Sequence, residues 1–398
     1  MKDHFRLLVV GGGTAGCSIA SKFARILSPS HLAVVEPCEK HYYQPGYTLV
    51  GAGIMHMEDI VRKEQDVLPK GVAWYRHTVD KFEPMDNRIV LRDGQSLSYD
   101  YLVISTGLQL RFDMISGITA QAMEDQYSGL CSIYHPKYAV KTFEELTRFQ
   151  PTTQSNAIFT SPNTPIKCPG APKKFAISQR KCGEKQAKGR TQHLTKVDVL
   201  NRLATFDCLD EKADKNGETR EFQYSLLHIA PPCSPIKALR DYAETMQTRK
   251  EPCLTDAKGW VAVNGQTLQS TAFANVFAFG DCTNTANSKT AAAISSQFKA
   301  LKLNLQSAME SRPLQAYYDG YGSCPLVVDS KHVIMAEFNS QGPLETFPYD
   351  QSKPSRLSFL MKRYFMPFLY WNFLVRGFWN GPATFRKIFH FPSTIANH

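Results

Sequence analysis

Two of the ten cysteines are followed by proline: Cys168 in Thr164-Pro-Ile-Lys-Cys-Pro-Gly and Cys324 in Gly322-Ser-Cys-Pro-Leu. A thiolate is a nucleophile, and making or breaking a bond between two sulfurs moves two electrons. A flavin accepts the same number, so two thiols beside a dinucleotide site suggest thiol or sulfur redox chemistry. The alternative is that both are small buried core residues, as free cysteines usually are. Spacing alone leaves this open, and their surroundings must decide.

The element that would hold a dinucleotide opens the chain. Phe5 to Val10 reads as an apolar strand, followed by Gly11-Gly-Gly-Thr-Ala-Gly16 and an amphipathic helix from Cys17 to Ile26. A second apolar strand, Leu32 to Val35, ends in Glu36. Gly11 permits the tight turn, Gly13 admits a pyrophosphate close to backbone amides, and Gly16 lets helix and strand pack. The helix N-terminus favours phosphate charge, and the Glu36 carboxylate can accept from both ribose hydroxyls. NAD and FAD are not distinguished by this motif. Two later strands run into small-residue turns: Tyr99 to Gly107, and Asn275 to Cys282 with its Gly280-Asp281.

The 398 residues allow two or three domains. The cysteines are irregularly spaced with no Cys-x-x-Cys, and no histidine pairs with them at metal-ligand spacing. That argues against a secreted disulfide scaffold or a zinc site and for reduced thiols without a metal. The formal charge of +10 comes with no zinc finger, helix-turn-helix or stacking motif, which argues against nucleic acid. From Gln351 to His398 there are seven Lys or Arg, no Asp or Glu, and twelve of the 45 aromatics. The longest apolar run there, Tyr364 to Trp371, is far short of the roughly 20 residues a span needs. An interfacial anchor is expected, with Tyr370, Trp371 and Trp379 at headgroup depth and Lys362, Arg363, Arg376, Arg386 and Lys387 meeting anionic lipid. The rival is a helix pair docked on the core or at a dimer interface. Only four residues precede the first strand, so no presequence is visible.

The fingerprint, the Ser105-Thr-Gly107 turn and the late Gly280-Asp281 together resemble the two-dinucleotide-fold flavoprotein disulfide reductase superfamily. With both cysteine motifs, the chain resembles the eukaryotic branch of the sulfide:quinone oxidoreductases. The carrying segments are His41-Tyr-Tyr-Gln-Pro45, Thr48 to Gly53, Asn163 to Cys168, Gly280 to Asn284, Tyr318 to Tyr321, Ser323 to Leu326, Leu344 to Pro348 and Pro367 to Asn372. The resemblance implies FAD as cofactor, contacted at Gly11, Gly13, Thr14, Ala15, Gly16, Glu36, Gln44, Val79, Gly107, Asp281 and Lys289. It implies that Cys168 and Cys324 are catalytic and form a sulfur-bridged pair. Sulfide attacks at the more exposed sulfur, expected at Cys324; Cys168 then reduces the flavin, which passes two electrons to ubiquinone. The sulfane sulfur leaves to glutathione or sulfite. Lys167 is expected to lower the Cys168 pKa, Pro169 and Pro325 to fix local turns, and Lys289 to stabilise charge on the reduced flavin. The place implied is peripheral on the mitochondrial inner membrane.

The fold class expected is α/β with two Rossmann-like domains, the second shortened, and an amphipathic membrane-associating C-terminal region. Residues 1–112 form the first half of the FAD domain, 113–264 the second domain, 265–330 the returning half with Cys324, and 331–398 the anchor. Relative to the family pattern, Ala171 to Leu200 is short by about one crossover unit, on the order of 30 residues. Two alternatives stay open: a catalytically silent flavin-binding membrane protein, and an NADH:quinone oxidoreductase. The latter needs a second glycine fingerprint, and residues 156–264 contain none.

Overall fold

The strand His4–Val10 has almost no polar face, and Leu7, Leu8 and Val9 are fully buried. Such a strand is stable only inside a sheet covered on both sides. The computed structural model, which describes residues 3–168, 192–208, 219–249, 251–287 and 289–390, shows that arrangement. His4–Val10 pairs in parallel with Leu32–Val35 on one side and Ser96–Ile104 on the other. Ala73–Tyr75 extends the first side, and Val276–Ala278 returns late in the chain to lie parallel to Ser96–Ile104. The hairpin Val79–Glu83 and Arg88–Leu91 completes the sheet through antiparallel pairing. On one face Leu7 and Val9 pack with Ile19, Phe23, Phe298 and Leu301 of the helices Thr14–Phe23 and Ala291–Met309. On the other, Phe5, Leu8 and Val10 pack with Val79, Ile89, Leu239 and Val261.

The helix after the fingerprint begins at Thr14, three residues before the expected start. Its first turn is therefore built from the motif, which aims its free N–H groups at the loop mouth. The helix Ala291–Met309 is capped by the Thr290 hydroxyl, which accepts from the Ala293 N–H. That leaves Lys289 just outside the helix rather than inside its first turn.

A second parallel sheet has three short strands, Leu130–Cys131, Leu226–His228 and Ala157–Phe159, with the helix Pro136–Arg148 against it. His228 at its centre accepts from the Ile133 N–H, and burial pushes its imidazole down to about 3, so it is a neutral core residue. Beyond it, Gln192–Asp198, Leu203–Cys208 and Thr219–Gln223 form an antiparallel sheet. The passage read as short in the sequence is described only from residue 192 on, and Pro169, Cys182 and most of the basic 173–193 stretch lie outside the described residues. Ala238 and Leu239 already pack on the first sheet, upstream of residue 265.

Gly322–Val327, Val333–Asn339 and Gly342–Leu344 form an antiparallel meander that runs across residue 330. Pro325 sits within its first strand, opposite Met335, and not in a turn. The strand is at the edge, where a missing N–H costs no ladder bond. The chain then forms one continuous helical run from Arg356 to Leu374, with two widened turns, at Met361–Phe365 and Tyr370–Leu374. Pro367 in its middle has no N–H to give, and widened turns are a usual response to such an interruption.

Candidate active site

Gly11, Glu36, Gly107 and Asp281 all follow the C-terminal ends of parallel strands of the first sheet, where ligands of such sheets bind. Gly11 has φ +101°, and a Cβ there would lie 2.4 Å from the Ser105 carbonyl oxygen. A Cβ on Gly16 would lie 1.7 Å from the Gly11 carbonyl oxygen, whereas one on Gly13 would meet nothing within 4 Å. The open space is thus at the position where a pyrophosphate must approach. Glu36 holds this mouth open: its carboxylate accepts from the Gly12 N–H at 2.7 Å and from the Cys38 N–H at 2.8 Å. Burial raises its pKa. Ala15 is buried beneath the loop, and Gly107 has φ +67° with space around it. Val79 does not join the cavity described next; it packs in the same apolar cluster as Val35, one residue before Glu36.

A cavity of about 780 Å³ lies beside this mouth, lined among others by Thr14, Gln44, Cys168, Asp281 and Lys289. Its remaining wall is mostly apolar. The two proline-linked cysteines, 156 residues apart in sequence, meet here with their sulfurs 2.9 Å apart. Backbone geometry brings them together. The Cys168 N–H donates to the Lys289 carbonyl at 3.1 Å, and Lys167 bridges to Lys289, so the thiol segment is tied to the strand-end loop after Asp281. Cys168 has φ +44°, a left-handed value uncommon outside glycine, and such strain is retained where surrounding structure enforces it. Cys324 is fixed by the ladder, opposite Ala336.

The exposure of the pair is the reverse of expectation. Cys324 is buried at 7% exposure, and Cys168 is half-buried and lines the cavity. The reason is that Cys324 lies inside a strand covered by its neighbour, whereas Cys168 ends a loop. The Lys167 ammonium donates to Gln44 Oε1 and lies 3.9 Å from Asp281 Oδ2, so it links two wall residues. Lys289 is not solvent-facing. Its ammonium donates to the carbonyls of Asp281 at 2.8 Å and Thr283 at 3.0 Å and sits 4.2 Å over the Trp260 ring. Burial lowers its pKa. A cation held in this way is preorganised for negative charge developing in the cavity.

Behind the wall, outside the residues that line the cavity, lies a cluster that the sequence reading missed. Cys17, His41 and Glu64 bring their side chains within 4.8 Å of one another, all buried. They are 24 and 23 residues apart along the chain, so no local spacing signals the cluster. The C-terminal region differs as well. Tyr370 and Trp371, expected at headgroup depth, are 2% and 5% exposed and belong to the first core. Lys362 is buried, and Arg376 donates to the carbonyls of Asp66 and Val67. The outward face is carried instead by Leu357, Leu360, Tyr364, Phe365, Phe368 and Phe373. No helix among the described residues is long and apolar enough to cross a membrane.

A twice-covered parallel sheet with this fingerprint and a cysteine pair that reaches the cavity wall through Cys168 defines a redox protein of the flavin-dependent disulfide reductase type. Residues 5–141 match the family model of the pyridine nucleotide-disulphide oxidoreductases, whose members imply a flavin. Over 98% of its length the chain is 39% identical to the mitochondrial sulfide:quinone oxidoreductase of Mus musculus, covering 90% of that protein. It is 33% identical over 96% of its length to the protein of the same name in Dictyostelium discoideum, covering 89% of it. The sulfide:quinone oxidoreductase structure from Aquifex aeolicus superposes with a TM-score of 0.71 at 17% identity, covering all of this chain and 96% of that one, which speaks for the fold. The chain belongs to the sulfide:quinone oxidoreductase family.

Proposed function

We propose that this protein oxidises hydrogen sulfide at Cys168 and Cys324 and delivers two electrons through FAD to ubiquinone. The observation that carries the reading is the contact between Cys324 and Cys168, the latter on the wall of the cavity that Thr14, Asp281 and Lys289 also line. FAD fits the site: the space at Gly13 admits the pyrophosphate, Glu36 stands at the ribose position, and Asp281 and Lys289 line the cavity beyond. When bound, it supplies two-electron chemistry between thiol and quinone.

In the oxidised state the two sulfurs are bridged. Hydrosulfide attacks the sulfur of Cys324, forming a new S–S bond there, and the Cys168 sulfur leaves with the electron pair as a thiolate. Because Cys168 is the member of the pair that lines the cavity, it is the thiolate facing the electron acceptor. Exposure within the cavity therefore marks the electron-donating sulfur, not the one that sulfide attacks. The persulfide sulfur passes to glutathione or sulfite. Lys289 offsets negative charge built up in the cavity, and Gln44 and Asp281 are held in place by Lys167. Anaerobic addition of sulfide is expected to bleach the flavin, and a short-chain ubiquinone to restore it. Bound flavin that ignores sulfide would leave the silent flavoprotein as the better reading.

The protein sits peripherally on the mitochondrial inner membrane through the outward face of its C-terminal helix. Phe368 and Phe373 are 54% and 41% exposed, pack edge to face at 5.9 Å and do not line the cavity. Each phenyl ring inserted into lipid contributes about 2 kcal/mol. The double variant Phe368→Ser/Phe373→Ser should therefore bind vesicles about 10³-fold more weakly in co-sedimentation. Its turnover of sulfide with a water-soluble quinone should be retained. Unchanged sedimentation would remove this face from the membrane contact.

A further inference from the structure

Behind the cavity wall lies a hydrogen-bonded line of side chains with the order of a catalytic triad. The Tyr370 hydroxyl is 2.7 Å from His41 Nε2, and His41 Nδ1 is 3.0 Å from Glu64 Oε2. On its far side the carboxylate faces the Cys17 thiol, whose proton is shared between the Gly12 carbonyl at 2.9 Å and Glu64 Oε1 at 3.3 Å. At the other end the Tyr370 hydroxyl is 2.8 Å from Thr14 Oγ1, and both Thr14 and Tyr370 line the cavity. His41 and Glu64 side chains are each 2% exposed, and Tyr370 is the member of the line that reaches the cavity.

Each part has a reason. A carboxylate on one imidazole nitrogen fixes the tautomer and orientation of the ring, and the other nitrogen then exchanges a proton with the hydroxyl it faces. Four elements supply the line: the fingerprint helix, the Lys40–Tyr42 strand, the Glu64–Val67 turn and the C-terminal helical run. Burying an ionisable pair this completely is costly, and the pair stands beside the one cavity where the family's reaction consumes protons. We propose that Tyr370, His41 and Glu64 form a proton-exchange unit for the cavity, with Tyr370 as the group that hands a proton outward, directly or through Thr14, to the quinone being reduced.

The inference rests on the sulfide-to-quinone reading. Quinone reduction takes up two electrons and two protons, and oxidation of hydrogen sulfide to sulfane sulfur releases two of each, so the overall reaction balances. In each transfer the Tyr370 O–H bond breaks toward the quinone oxygen, and a proton from imidazolium Nε2 re-forms it. His41 is left neutral with Nδ1–H still on Glu64. Nε2 is reloaded along the same line: a proton released into the cavity on the sulfide side binds the Tyr370 oxygen as the Tyr370 proton passes back to Nε2. Burial raises the Tyr370 pKa well above the ordinary phenol range, so the phenol passes protons on and does not rest as an anion. The other ionisable groups facing the line are Cys17 and Tyr43, with Glu36 and Arg376 farther out. Burial and the Glu64 charge raise the Cys17 pKa strongly, which keeps it a thiol donor.

The test uses the full-length flavin-loaded enzyme in stopped flow with sulfide as reductant. Reoxidation is then followed with a short-chain ubiquinone and, separately, with ferricyanide, which takes electrons without protons. His41→Gln retains an amide to bond Tyr370 but carries no exchangeable charge, and Tyr370→Phe removes the hydroxyl. Both should slow reoxidation by quinone about 10²-fold, flatten its pH profile and alter its solvent deuterium isotope effect. Sulfide bleaching and ferricyanide reoxidation should stay within about twofold of the parent. Should His41→Gln fail to fold, Glu64→Gln serves in its place. Quinone reoxidation at the parent rate and pH profile overturns the proposal. Equal loss with quinone and ferricyanide also overturns it, assigning the line to holding the fold. Stoichiometric divalent metal in the purified protein would overturn it too, since Cys17, His41 and Glu64 would then be ligands. If the unsubstituted enzyme is not reoxidised by quinone, the underlying reading falls, and that failure shows in the parent and not in the variants.

Discussion

Cys324→Ser will bind its flavin and ignore sulfide. The bridge needs two sulfurs, and a serine hydroxyl can neither form an S–S bond with Cys168 nor carry a persulfide. The fold should tolerate the change, because position 324 lies inside an antiparallel ladder whose bonds are made by the backbone, and serine is smaller than cysteine. The expected result is a fall of at least about 10³-fold in the rate of sulfide bleaching, with flavin content unchanged. No neighbouring thiol should substitute. Burial raises the pKa of Cys233, which shares Tyr134 with the pair, and pushes Cys282 up to about 11, so neither is a thiolate near neutrality. Cys168→Ser should be equally dead toward sulfide. The measurement is the anaerobic titration of flavin absorbance in each variant. Bleaching within about tenfold of the parent rate in Cys324→Ser would remove the pair from the mechanism.

What the sequence made legible is what is local or motif-borne. The fingerprint, its strands and the acidic residue after the second strand are consecutive, and the structure keeps them within one strand–helix–strand unit. The thiol pair was legible through its two proline-linked motifs, although its meeting depends on the bridge between Lys167 and Lys289 and on the edge strand of the meander. Which sulfur faces the cavity was not legible, since that follows from one cysteine ending a loop and the other lying mid-strand. The aromatic tail shows the same limit. Composition marks it as amphipathic, but widened turns around Pro367 rotate Tyr370 and Trp371 into the core and leave phenylalanines outside. Tyr370 then reaches His41 across 329 residues, a contact that no spacing rule detects.

The glycines of the fingerprint should separate folding from cofactor binding when each is given one methyl group. At Gly16 the new carbon would lie 1.7 Å from the Gly11 carbonyl oxygen and 2.9 Å from Ser105 Oγ. The obstacle is backbone, which cannot swing away as a side-chain tip can. Helix Thr14–Phe23 must then move off the strand His4–Val10, disturbing the core around Ile19 and Phe23. Overpacking of this kind costs up to about 3 kcal/mol, enough to threaten a domain of ordinary stability. Gly16→Ala is therefore expected to be recovered largely without flavin and with a clearly lowered Tm. At Gly13 the same methyl group meets nothing within 4 Å, and φ is −66°, which alanine adopts freely. Gly13→Ala should keep the Tm of the flavin-stripped protein unchanged. Its methyl group fills the space left for the pyrophosphate, so flavin affinity should fall by about tenfold or more. Thermal unfolding of stripped protein and fluorescence titration with FAD read the two effects independently. If Gly13→Ala binds FAD as tightly as the parent, the open space at that glycine is not where the cofactor's phosphates lie.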